Sequence, residues 1–130
     1  MKYRLMDILA CPMCKHFPLE LYVLNENIYE NRSLSGREKP LCELYCGFLR
    51  KNVNDAKEPP CEECIKKEVD IGVLYCSSCG RWYPIMEEIP RMLPDELRSK
   101  KEELEFLRKY KDKIPEKIVY EGKPFNLKTS

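Results

Sequence analysis

Eight cysteines fall in four close pairs: Cys11 and Cys14, Cys42 and Cys46, Cys61 and Cys64, Cys76 and Cys79. Two cysteines flanking one tight turn aim both sulfurs at a single tetrahedral ion, which is what a structural metal site needs. Disulfide scaffolds scatter their cysteines instead, because a bridge does most when it closes a long loop. The hook spacing therefore points to metal. Zinc is the default ion, being redox-silent and content with four thiolates; a disulfide set and a rubredoxin-like iron are the alternatives. His16, two residues past Cys14, reads as a polar loop side chain rather than a ligand.

Four hooks combine into two sites sequentially, nested or crossed, and the crossed arrangement threads one loop through another. The run from Pro18 to Leu24 follows the first hook, and the run from Val69 to Tyr75 precedes the last. Both are rich in strand formers. Paired antiparallel, they make a zinc ribbon that gathers Cys11, Cys14, Cys76 and Cys79, the nested solution. Residues 25–70 then leave the hairpin as an arm carrying Cys42, Cys46, Cys61 and Cys64. That arm is too polar to fold alone. A second zinc would supply what burial cannot, apparent zinc-site free energies being on the order of 10–16 kcal/mol; disulfides or free thiols are the other options there.

Positioning these hooks calls for an α+β fold: a small antiparallel sheet of zinc-ribbon type, an inserted second zinc-binding arm and a C-terminal helix. The expected division is 1–24 with 71–93 as ribbon core and docking strand, 25–70 as arm, and 94–130 as helix and tail. Leu5, Ile8 and Leu9 fall at helical spacing and suggest a helical turn packed on the ribbon. Pro84 and Pro90 hold Arg81 to Leu93 extended, with a turn at Glu87-Glu88. Proline removes a backbone donor, so this strand suits a sheet edge. Pro94-Asp95-Glu96 opens a helix, with Leu97, Leu104, Leu107, Tyr110 and Ile114 on one stripe and Pro115 at its end. The tail EKIVYEGKPFNLKTS has no pattern that makes a core and is expected to clip onto a partner or fray.

The 130 residues suffice for one domain or a small core with an insertion, with 43% hydrophobic and 35% charged residues. Glutamine is absent and glutamate and lysine dominate the charge, a bias resembling heat-adapted intracellular proteins. A net charge of +1 does not by itself recommend a polyanion binder, and eight thiolates holding two divalent ions would turn the chain net negative. No apolar run has the length of a membrane span and the N-terminal stretch is broken by Asp7, so a soluble cytoplasmic protein is expected. One histidine offers no catalytic relay, Glu62-Glu63 and Glu87-Glu88 are adjacent rather than convergent, and no glycine-rich phosphate loop exists. An enzyme is not indicated.

MDILACPMC at 6–14 and LYCSSCGRWYPIMEEIPRML at 74–93 together resemble the methyltransferase activator subunit family, and the resemblance is taken to be to an archaeal member. The resemblance implies a non-catalytic zinc-binding subunit that binds class I S-adenosylmethionine-dependent methyltransferases acting on tRNA, rRNA or a translation release factor. It implies a heterodimer in which the subunit covers an apolar surface of the catalytic chain, keeps it soluble and helps it bind the methyl donor; tRNA would be met only through the complex. Carried over by position, Cys11, Cys14, Cys76 and Cys79 match the zinc ligands. Tyr83, Pro84, Ile85, Ile89, Pro90, Met92 and Leu93 match the interface segment. Cys42, Cys46, Cys61 and Cys64 lie outside the family's pattern. Glu88 stands where many members have glycine, which leaves the turn geometry open, and His16 stands near a position often held by glycine.

The rival class is a nucleic-acid-binding zinc ribbon of the transcription or translation machinery. Its support is the basic surplus of residues 91–130, where Lys100, Lys101, Arg108, Lys109, Lys111 and Lys113 lie on the expected helix. Those residues alternate with Glu102, Glu103, Glu105 and Asp112, the pattern of a solvated helix face.

Overall fold

Strand-forming residues on either side of the inserted arm build one long hairpin. β1 runs Glu20–Ile28 and β4 runs Lys67–Tyr75, paired antiparallel from Glu20 opposite Tyr75 to Ile28 opposite Lys67. The hairpin thus reaches four residues beyond Leu24, into the stretch expected to belong to the arm. β5, Trp82–Met86, pairs with β4, and the two-residue β6, Ile89–Pro90, pairs with β5, giving an antiparallel sheet in the order β1-β4-β5-β6. The computed structural model describes residues 1–37, 39 and 41–128.

β5 carries Pro84 yet lies inside the sheet, which corrects the expectation of an edge. Its backbone explains how. The Pro84 carbonyl accepts from Arg91 N–H on the β6 side. In an extended chain a residue's N–H and C=O point the same way, so the donor that proline lacks faces that short neighbour and the ladder to β4 loses nothing.

The sheet buries both faces. On one, Leu21, Val69, Leu74, Tyr83 and Ile85 meet Met1, Tyr3, Met6 and the hook residues Cys11 and Cys76. On the other, Val73 and Trp82 meet the C-terminal region through Leu104, Phe106, Leu107, Ile114, Ile118 and Val119. The alternation breaks between Val69 and Ile71, because the β1–β4 register shifts at Leu24 and Asp70 and reverses the side-chain phase.

The N-terminal turn is a 3-10 helix over Tyr3–Asp7. Its three-residue period puts Tyr3 and Met6 inside and leaves Ile8 72% exposed, so Ile8 does not join Leu5 and Leu9 against the ribbon. After the sheet, a short 3-10 turn at Asp95–Leu97 precedes the main helix, which starts later than expected. This helix is Lys100–Tyr110, capped by the Ser99 hydroxyl accepting from Glu102 N–H. Leu97 falls outside it and is 65% exposed rather than on the stripe.

As far as Lys128, the tail packs on its own chain, which corrects the expectation of a patternless segment. A four-residue helix at Glu116–Val119 buries Ile118 and Val119, and the Phe125 carbonyl accepts from the Trp82 indole at 2.8 Å. Arg98 locks the same corner: its fully buried guanidinium donates twice to Glu103 and once to the Trp82 carbonyl.

The arm holds a two-stranded ribbon, β2 Tyr45–Cys46 with β3 Lys51–Asn52, a 3-10 turn at Val53–Asp55 and an α-helical turn, α1, Cys61–Cys64. With α1 named, the main helix is α2 and the Glu116–Val119 helix α3.

Candidate metal centre

The nested arrangement is the one the fold adopts. Antiparallel pairing of β1 with β4 returns the chain to where it started, and Cys11, Cys14, Cys76 and Cys79 converge with all four sulfurs within 4.8 Å of one another. Cys11 Sγ lies 3.7 Å from Cys79 Sγ, and Cys14 Sγ lies 3.4 Å from Cys76 Sγ. All eight cysteines are free thiols. Cys11 and Cys76 are buried, Cys79 is half-buried and Cys14 is exposed.

The two hooks are built alike. In the first, Lys15 N–H donates to the Cys11 carbonyl and Cys11 N–H to the His16 carbonyl; in the second, Gly80 N–H donates to the Cys76 carbonyl and Cys76 N–H to that of Arg81. The residue closing each hook is left-handed, Lys15 at φ 68° and Gly80 at φ 79°. Glycine takes that geometry without cost whereas a lysine does not. His16 stays out of the cluster, its Nε2 3.4 Å from Ser77 Oγ.

Four thiols so placed fit zinc: the donors are soft, number four and leave no open position, which makes the site structural. Burial opposes ionisation of Cys11, but hydrogen bonds from the Tyr83 hydroxyl, from backbone N–H groups of its own hook and from Cys79 outweigh it and bring that thiol to about 6. Burial pushes Cys76 the other way, to about 12. When bound, zinc would hold all four as thiolates. The chain's own part is to aim them and to soften their charge. Tyr83 places its hydroxyl 3.2 Å from Cys11 Sγ, deep in the sheet. Arg81, clamped by two-pronged bonding to Asp95, reaches the Cys79 sulfur. At the level of sequence Tyr83 falls in the docking segment and Arg81 has no role at the metal, although both stand in the run directly behind the second hook.

Outer-shell donors of this kind hold metal affinity, and their loss costs about 10–100-fold. Tyr83→Phe keeps the ring and removes only the donor, so zinc release to a chromogenic chelator is expected to quicken about tenfold at unchanged secondary structure. Equal release rates would mean the hydroxyl contributes nothing to retention.

The residues matched to a docking segment separate into two groups. Tyr83, Pro84 and Ile85 are buried within this chain, Pro90 and Met92 are half-buried, and Ile89 and Leu93 are 61% and 40% exposed. The turn before them is formed by Glu87 and Glu88, both left-handed, at φ 50° and 68°. Glu88 thus occupies the backbone geometry glycine would take freely, and three bonds hold it there. Its carboxylate accepts from Asn27 at 2.9 Å and Tyr29 at 2.6 Å, and its N–H donates to the Asp70 carbonyl. Those bonds keep its carboxyl below the ordinary range.

The inner cysteines line one cavity of about 20 Å³, roughly the room for one water-sized occupant. Burial raises Cys42 to about 11 and Cys64 to about 12, with the neighbouring inner sulfurs adding to the effect. Among the described residues, only the outer four gather closely enough to form a ready ligand set.

The sequence model of Trm112p-like proteins matches residues 2–88, spanning both outer cysteine hooks, β1, β4 and β5 together with the arm. The chain belongs to the Trm112p-like family. Trm112p-like proteins are activators of methyltransferases, which points to an activating subunit rather than a catalyst. Comparison with curated proteins gives no match. The family match ends at the Glu87-Glu88 turn, so β6, Met92, Leu93, α2, α3 and the tail lie beyond it. No helix among the described residues is long and apolar enough to cross a membrane.

Proposed function

We propose that this chain is a non-catalytic, zinc-binding activator and stabilising subunit of class I S-adenosylmethionine-dependent methyltransferases that modify tRNA, rRNA or a release factor, acting in the cytoplasm as one half of a heterodimer. Zinc sits on Cys11, Cys14, Cys76 and Cys79, and a second zinc on the inner cysteines. The division into ribbon core, inserted arm and C-terminal region carries over, with the first as the working part. The partner docks on the segment from Tyr83 to Leu93. Tyr83, Pro84 and Ile85 shape that segment from inside, and Ile89, Pro90, Met92 and Leu93 meet the catalytic chain.

The observation that carries this reading, beyond family membership, is where apolar surface remains on the sheet. Both faces are covered by the chain itself. Of the two edges, β1 presents Glu20, Asn25, Glu26 and Asn27, with Ile28 57% exposed at its end, and is broken by register shifts, which blunt it against pairing. At the other edge Ile89 of β6 and Leu93, three residues past β6, are exposed. Exposed apolar side chains beside a short edge strand suit docking of a partner, with the side chains giving selectivity. A subunit that binds only the folded, donor-competent catalytic chain stabilises that state by mass action. The direct test is the methyl-donor affinity of a class I catalytic subunit with and without this chain.

A further inference from the structure

The arm raises a question that ribbon and docking edge leave untouched: what keeps it folded. Among the described residues of 29–66, the buried apolar side chains are Cys46, Pro59, Cys61 and Ile65. Two of the four are cysteines. An arm with so little apolar material cannot offset the conformational entropy of ordering it, which runs to about 1–2 kcal/mol per residue for the backbone alone.

We propose that Cys42, Cys46, Cys61 and Cys64 form a second four-thiolate zinc site, whose ion folds the inserted arm and fastens it to the ribbon. The proposal rests on the zinc reading of the outer site, but not on the activator function.

Three independent features converge on it. All four cysteines line the same small cavity, one pair from the β2 hook and one from α1, so two separate segments each bring a pair of cysteines to its wall. α1 is a single turn with Cys61 and Cys64 at its two ends; three residues apart on a helix, they share a face. The first hook is then held from outside the arm. Asp7, in the N-terminal 3-10 helix, accepts from Leu44 N–H and Tyr45 N–H through Oδ1 at 2.7 Å each, and from Glu43 N–H through Oδ2 at 2.9 Å. These are the three residues between Cys42 and Cys46, so the ribbon's own carboxylate fixes the loop that presents the pair. Beside it, a Cβ on Gly47 would stand 2.6 Å from both Met6 Cβ and the Tyr3 carbonyl oxygen, and only glycine permits that approach.

Asp7 and Gly47 thus seat the hook on the ribbon, and α1 closes over it. The inner sulfurs stand further apart than the outer set. A divalent cation supplies the attraction that draws them together, displacing the thiol protons as it binds. Zinc suits the donors; a harder cation such as magnesium or calcium does not.

Native mass spectrometry of the full chain, purified without added chelator, tests this together with limited proteolysis. Two zinc ions are expected on the unaltered protein. A Cys61→Ser, Cys64→Ser double variant should carry one and be cut within residues 29–66, while the ribbon stays protected. Asp7→Asn keeps every cysteine and should release one of the two ions to chelator about tenfold faster, as loss of a supporting group does at metal sites. One zinc on the unaltered protein would overturn the proposal. So would two on the double variant, or an intact mass lower by two hydrogens that marks a disulfide among the inner cysteines. Failure to capture a methyltransferase would leave it standing.

Discussion

Cys76→Ser is expected to cost the chain its outer zinc and its cooperative fold together. Cys76 is fully buried where β4 ends, its sulfur 3.4 Å from Cys14 Sγ, in contact with the core shared by Leu74, Tyr83 and Ile85. Structural zinc sites are worth on the order of 10–16 kcal/mol, as much as or more than the roughly 5–15 kcal/mol that separates folded from unfolded domains. Losing one ligand need not forfeit all of that, but it leaves three thiolates and a hydroxyl in a pocket built for four sulfurs. Circular dichroism should show loss of sheet signal and thermal melting should lose its sharp transition. Cys14→Ser, at the exposed corner of the cluster, should be milder. A Cys76→Ser protein that melts as sharply and as high as the unaltered chain would show that the site is not what holds the ribbon.

The second large effect concerns the docking edge. Ile89 is 61% exposed, so Ile89→Asp should leave the free chain folded and its zinc content unchanged. In the complex the same carboxylate would be buried without a partner, at a cost of about 3–5 kcal/mol. That corresponds to a loss of affinity of roughly three orders of magnitude. Leu93→Asp should weaken the complex less, the residue being only partly exposed already. Isothermal titration against the catalytic subunit reads both. Undiminished binding by the double Ile89→Asp, Leu93→Asp variant would place the interface elsewhere on the molecule.

Much of the metal chemistry was legible in the sequence, because hook spacing and flanking strand formers are local signals. The nested pairing followed from which hooks sit at the ends of strand-like runs, and the turn at Glu87-Glu88 from two prolines. What escaped were the features that depend on residues far apart in the chain. Ile118 and Val119 looked like part of a tail without pattern because their partner, Trp82, lies more than thirty positions earlier, and only the fold brings them together. Asp7 read as a charge interrupting an apolar run, since its three N–H partners lie across the arm. Ile8 was misplaced by assuming a period of 3.6 where the chain is wound three residues to the turn. Pro84 was assigned to an edge because proline says which donor is missing and not which way it points.

The C-terminal region shapes the choice between the two functional classes. α2 turns Leu104, Phe106 and Leu107 inward and exposes Lys101, Glu102, Glu105, Arg108 and Lys109 on its outer side. Charges of both signs mixed in this way favour water and one another over a run of phosphates. With Asp95 clamping Arg81 beside Cys79 and Arg98 stacked over the Tyr83 ring, the segment serves the ribbon that precedes it. Ile89 and Leu93, beside the Glu87-Glu88 turn, are the apolar pair proposed to meet a partner.

The activator reading stands or falls on methyl-donor binding. A class I catalytic subunit should be titrated with S-adenosylmethionine alone and again in complex with this chain. The account predicts tighter donor binding in the complex, by the roughly 5–150-fold that a coupling of about 1–3 kcal/mol between sites provides. A complex that forms and yet leaves the donor dissociation constant unchanged would contradict it.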